Sequence, residues 1–129
     1  MVKNGYNQYM RSKIMTASKP ELTLMLYDGA IKFCNMAVMC IEKKDIPGAH
    51  TNIKKTEAII EEFLATLNHQ YEVANDFEKV YEYIFDRLVQ ANLKKDPEIL
   101  EEVLGHLRGM RDTWKEVMKT ANTQKTAIS

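Results

Sequence analysis

From Leu22 to Ile41 the chain carries only two charged side chains, Asp28 and Lys32. A run of that length and polarity is either a helix enclosed by its own domain or a membrane span. Asp28, Lys32 and Asn35 would each be costly in lipid, which favours the core helix. Its start is written in the sequence. Ser18 is placed to N-cap, Glu21 three residues on completes a capping box, and Pro20 sits in the first turn, where a missing N–H costs little. Asp28 and Lys32 are spaced i,i+4 with the acid first, the favourable order. The helix is predicted from about Lys19 to Lys43. Being apolar nearly all round, it is expected at the centre, covered on every side.

Its surroundings must come from the rest of a chain of 129 residues, long enough for one domain that buries roughly two-thirds of its unfolded surface. The 18 basic and 18 acidic residues cancel, so no overall field draws nucleic acid or an anionic membrane. Met1 to Met15 is polar and lacks the apolar core of a signal peptide. Cys34 and Cys40 are six residues apart on one helix, a rise of roughly 9 Å that no disulfide spans. Both are expected as free core thiols, in keeping with a reducing cytoplasm.

Residues 1–17 read as a polar arm, in part a short helix, with apolar points at Tyr6, Tyr9, Met10, Ile14 and Met15. Residues 18–120 read as four helices. Asp45 caps the second, with Pro47 in its first turn and a seam at Ala49, Ile53, Thr56, Ile60, Phe63 and Leu67. Ile59 and Leu64 widen that stripe, and Lys54, Lys55, Glu57, Glu61 and Glu62 are assigned to solvent. After a connection over 68–74, Asn75 or Asp76 is expected to cap a third helix. Phe77, Val80, Tyr81, Ile84, Leu88 and Ala91 share one of its faces. Asp96-Pro97 opens the fourth, whose seam is Leu100, Val103, Leu107, Met110, Trp114 and Val117. Residues 121–129 read as a polar, frayed tail. The fold class is all-α, an antiparallel up-down four-helix bundle with a short N-terminal arm.

The chemistry-bearing residues are sparse. No Glu-x-x-His pair of a di-iron bundle is present, since His50, His69 and His106 are preceded at i−3 by Pro47, Thr66 and Val103. Glu102 and His106, spaced i,i+4, read as a surface contact. The serines Ser12, Ser18 and Ser129 fall in the arm, a cap and the tail, and there is neither a nucleophile elbow nor a glycine-rich phosphate loop. Asp28 is expected to pair with Lys32 or with another helix. Gly105 and Gly109 are expected to permit close packing of the fourth helix. The reading is of a protein that is not an enzyme, with no metal and no cofactor.

What is left over is apolar surface. Leu24, Met25, Met36 and Met39 on the first helix, Ile59 on the second, and Tyr83, Phe85 and Val89 on the third lie off the seams or exceed what they need. Methionine suits a surface that must accommodate an irregular partner. An exposed apolar groove is one use for this surplus. The rival use is a subunit interface in a structural homo-oligomeric bundle.

Several of these residues stand in patterns that resemble the flagellar export chaperone FliS family, over about Tyr6 to Val117. They are Tyr6-Asn7-Gln8-Tyr9, then Thr16-Ala17-Ser18 leading to Leu22, and Met25-Leu26-Tyr27-Asp28-Gly29-Ala30. The third helix adds Tyr81-Glu82-Tyr83 and Arg87-Leu88-Val89-Gln90-Ala91-Asn92, and the fourth adds Trp114-Lys115. One departure is Lys19, which stands between Ser18 and Pro20 where the family commonly places the proline directly. The resemblance implies a cytoplasmic chaperone for the disordered C-terminal region of flagellin. It would prevent premature polymerisation and aid delivery to the flagellar secretion apparatus, working as a monomer or weak homodimer without stable membrane insertion. It also implies that the arm shields apolar surface when no client is bound. Tyr9, Ile14, Met25, Met36, Tyr83, Phe85 and Val89 are the candidate client-binding residues. Tyr6 and Tyr9 are the candidates for docking at the export gate.

Overall fold

The computed structural model describes residues 8–9, 11–12 and 19–128, with side chains placed as far as Thr120. Ser18, Tyr6, Met10, Ile14 and Met15, named above, lie outside the described residues. Gln8, Tyr9, Arg11 and Ser12 are helical. Four long helices follow: α1 (Lys19–Glu42), α2 (Ile46–Thr66), α3 (Val73–Lys94) and α4 (Pro97–Ile128). Short connections make them an up-down-up-down bundle in which each helix packs on its two neighbours and α4 closes back on α1. α4 continues through the stretch expected as a frayed tail.

The turns follow from local chemistry. Asp45 caps α2 by accepting the Gly48 N–H at 3.0 Å. A Cβ at Gly48 would fall 2.3 Å from Asp45 Oδ2, so that cap needs glycine beside it. Lys44 (φ 63°) and Lys95 (φ 51°) end α1 and α3 in left-handed geometry, where glycine is the usual residue. Lys95 anchors its turn by donating from Nζ to the backbone oxygen of Asn92 at 2.5 Å and to its side-chain oxygen at 2.6 Å. α3 begins earlier than expected, at Val73, and neither Asn75 nor Asp76 caps it. Its first backbone bonds run instead from a turn at Asn68–Tyr71.

The core is built from the predicted seams. Ile53, Ile60, Ile84, Leu88, Leu100, Val103, Leu104 and Leu107 are wholly buried, joined by Tyr27, Ala30, Ile31 and Cys34 of α1. Cys34 donates to the Leu100 carbonyl at 3.6 Å. Burial, reinforced by the nearby Glu101 charge, pushes its thiol up to about 12, so it stays protonated. Cys40 is only half-buried, and both cysteines are free.

Two expectations are corrected here, for the cover of α1 and for Glu57. α1 is not covered on every side: in a four-helix ring it has two adjacent neighbours, and Met36 and Met39 on its outer face are 39% and 51% exposed. It is the one described helix long and apolar enough to cross a membrane, but its inner face packs in this bundle. Asp28 is exposed and, of its two expected arrangements, takes the pairing with another helix and not the one with Lys32. Its Oδ1 lies 3.7 Å from Arg111 of α4, so its cost in an apolar helix is small. Glu57, assigned to solvent, is 3% exposed. It sits one position beyond Thr56, where the C-terminal turns of α3 cover it. Its Oε2 accepts no hydrogen bond and has Lys54 Nζ at 3.6 Å.

Candidate functional site

The bundle does not close equally along its length. At the end formed by the start of α1, the close of α2, the start of α3 and the second half of α4, a groove of about 720 Å³ remains open. Its cause lies in α4. Gly105 and Gly109 are one turn apart on one face, Thr113 continues the row, and a Cβ built on either glycine meets nothing within 4 Å. These glycines do not bring helices together, contrary to expectation; they leave space. The same gap explains two further departures from the predicted seams. Phe77 and Val117 are 40% and 51% exposed because they stand at the groove, not in a closed core.

An aromatic stack lies beneath. The Phe63 ring sits 4.6 Å from Tyr27 and 5.2 Å from Tyr81, and Tyr81 is followed by Phe77 at 6.2 Å. The Tyr27 and Tyr81 hydroxyls, 2.6 Å apart, share a buried hydrogen bond that ties α1 to its diagonal partner α3. Burial raises both phenols above their ordinary value and keeps them neutral. Met110 and Trp114 complete the apolar wall, and the Trp114 indole donates to the Pro20 carbonyl at 3.0 Å, fixing α4 against the start of α1. Among the described residues no Asp, Glu, Lys or Arg lines the groove. Such a surface can take the apolar face of a helix or an extended segment.

On the α3–α4 side a polar cluster adjoins it. Tyr83 donates to Glu102 Oε2, Arg87 Nε donates to Glu102 Oε1 at 2.9 Å, and His106, which also lines the groove, lies 3.6 Å from Oε2. The Tyr83 hydrogen bond first, and Arg87 with it, holds the Glu102 carboxyl below its ordinary value of 4.5. A carboxylate so stabilised contributes to folding above that ordinary value, and the contribution is lost as pH falls through the lowered one. Tyr83→Phe is therefore expected to flatten the acid limb of thermal stability measured below pH 4.5. Superimposable acid limbs would contradict the assignment. Among the described residues no group of three or more His, Cys, Asp or Glu is placed to hold a metal.

The sequence-selected client residues are dispersed. Tyr9 is 64% exposed in the arm, and Ile14 lies outside the described residues. Met25 is half-buried and Met36 exposed, both on α1. Tyr83, 47% exposed, faces α4 through its bond to Glu102. Phe85 packs against the core, and Val89 lines a separate cleft with His50, Lys54 and Glu57 on the α2 side. They do not share one groove. Of the residues that do, Phe63, Tyr81 and Trp114 were read as seam, the two glycines as aids to close packing, and Tyr27 only as part of the family pattern. The i,i+4 glycine pair followed by Thr113 was the legible signal.

The comparisons agree with this architecture. A solved flagellar chaperone from bacteria superposes with a TM-score of 0.74 over 93% of this chain and 99% of its own, at 16% identity, which shows the shared fold. The flagellar secretion chaperone FliS of Bacillus subtilis is 39% identical over 119 residues, spanning 92% of this chain and 90% of its own length. That of Salmonella typhimurium is 32% identical over 120 residues, 91% of this chain and 89% of its own. The family model described as "Flagellar protein FliS" matches residues 2–121. A four-helix bundle with its sequence patterns matched over nearly its whole length to flagellar secretion chaperones belongs to the FliS family.

Proposed function

We propose that this protein is a cytoplasmic export chaperone that holds the disordered C-terminal region of flagellin, keeps it from polymerising, and aids its delivery to the flagellar secretion apparatus. The observation that carries the reading is the open groove of about 720 Å³, walled by aromatic and aliphatic side chains with no Asp, Glu, Lys or Arg among its described lining residues. A chain terminus destined for a filament has an apolar face that must be hidden until assembly. A groove of this kind hides it by accepting anchors one helical turn apart. Ordering a flexible client on the groove costs conformational entropy, which lowers affinity per unit area and leaves the complex releasable.

The groove takes one part of the client. Met25 and Met36 on α1, Tyr83 on α3, and Phe85 with Val89 toward α2 lie on other faces, so a client using them as well would wrap the bundle. Tyr9 and Ile14 in the arm would meet it from the N-terminal side. Tyr6 and Tyr9 are proposed for docking at the export gate. The proposed role is binding without catalysis.

The test is calorimetric titration of the full chain with a C-terminal flagellin fragment from the same organism. Saturable one-to-one binding with a large negative heat-capacity change is the expected result, the mark of apolar burial coupled to folding. A folded protein that gives no heat, and whose association state rises with its own concentration, would instead place the apolar surplus in a homo-oligomer interface.

A further inference from the structure

We propose that the Tyr27–Tyr81 hydroxyl pair is a selectivity element of the groove, seating one uncharged carboxamide, a Gln or Asn side chain carried on the apolar face of the bound segment. This rests on the client reading above and adds what the client must carry.

The inference begins with a count of protons. Each phenol has one O–H donor and can also accept. The two hydroxyls are buried and 2.6 Å apart, so one donates to the other. The accepting hydroxyl then keeps its own proton, and among the described residues neither oxygen makes another hydrogen bond. A buried donor without an acceptor is costly, and such groups are ordinarily satisfied. Both tyrosines line the open groove, so a bound segment can supply what the fold does not.

The chemistry of the missing group follows by elimination. An aliphatic side chain would cover the hydroxyls and leave the proton unpaired. An ammonium or guanidinium has donors only, and no carboxylate lines the groove to balance its charge. A carboxylate would accept the proton, but no Lys or Arg lines the groove to offset its desolvation. A primary carboxamide places an acceptor and a donor side by side. Its oxygen takes the unpaired phenolic proton and its nitrogen donates to the other phenolic oxygen. Burial raises the pKa of both phenols, so they meet it as neutral partners.

The test pairs variants of the full chain with peptides. A C-terminal flagellin fragment and a series with each Gln or Asn replaced singly by Leu are titrated into the unmodified protein, into Tyr81→Phe, and into Tyr27→Phe/Tyr81→Phe. One peptide substitution is expected to weaken binding to the unmodified protein roughly five- to fifty-fold, within the range spanned by a buried unpaired polar group. That same peptide should bind the double-Phe protein at least as well as the parent peptide does, reversing the preference. Tyr81→Phe should fall between. If every substituted peptide binds the unmodified protein within about two-fold of the parent, where a fifty-fold loss is about 2.3 kcal/mol, the inference is overturned. A double-Phe protein that keeps the original preference overturns it equally. Circular dichroism melts accompany each variant. Should the double variant not fold, the peptide scan on the unmodified protein and on Tyr81→Phe decides the matter. Parent fragment binding without a carboxamide effect removes this inference alone, whereas no binding of the parent removes the client reading with it.

Discussion

Gly109→Leu is expected to weaken binding of the C-terminal flagellin fragment at least about ten-fold, a loss of 1.4 kcal/mol or more, while the bundle becomes no less stable. The two halves of this result have separate causes. Glycine inside a helix costs about 1 kcal/mol relative to alanine, and Gly109 sits well within α4. A Cβ there meets no neighbour within 4 Å, so helix propensity improves with no clash at that atom. The space it enters is the groove, and a leucine occupies part of the volume that the client's anchors require. Gly109→Ala separates the effects: a melting temperature above that of the unmodified protein, with a smaller loss of affinity. Were Gly109→Leu to bind the fragment as tightly as the unmodified chain, the groove would not be the client's seat. A lowered melting temperature for Gly109→Ala would instead show that the glycine is needed for packing.

Phe63→Ala is expected to destabilise the fold by about 3–5 kcal/mol, the usual cost of emptying a buried aromatic site. Phe63 is 5% exposed and its ring lies between those of Tyr27 and Tyr81, so its loss leaves a cavity under the groove and removes two aromatic contacts. Against a typical domain stability of about 5–15 kcal/mol, that is a large fraction of the total. Urea unfolding should show a midpoint shifted strongly downward with an unchanged slope. Met36→Ala, on the outer face of α1, provides the contrast and should move the midpoint little. A Phe63→Ala shift no larger than that of Met36→Ala would mean that the aromatic stack is not integral to the core.

The two substitutions bracket what sequence could and could not reveal. The bundle was legible because helix periodicity and capping are local. The seam of α2, that of α4 from Leu100 to Leu107, the Asp45 cap and the Pro97 start of α4 depend on residues a few positions apart, and each was found where expected. The FliS resemblance was legible for a related reason, since the order and spacing of the matched patterns lie along the chain itself.

The α3 cap was the local exception. There the carbonyls of a preceding turn accept the first N–H groups of the helix, the role a side-chain cap would otherwise have filled. The position of α1 was misjudged because composition reports how apolar a helix is but not how many neighbours it has. A ring of four leaves each helix an outer face, and Met36 and Met39 occupy it. Glu57 was placed in solvent by the same reasoning in reverse. A helical wheel shows that it leaves the seam but cannot show that α3 lies over it.

By itself, then, the sequence determined the class of fold, its element order and its family, because those follow from short-range patterns. Only the tertiary structure decided where the groove lies. The glycines of α4, the close of α2 and the aromatic pair from α1 and α3 are as many as 82 residues apart, from Tyr27 to Gly109, and become neighbours only when the helices pack. An apolar residue at a seam position looks the same along the chain whether the facing helix supplies a side chain or a hydrogen atom. Which of the two it faces is a matter of helix register across the bundle, and that is settled by long-range packing.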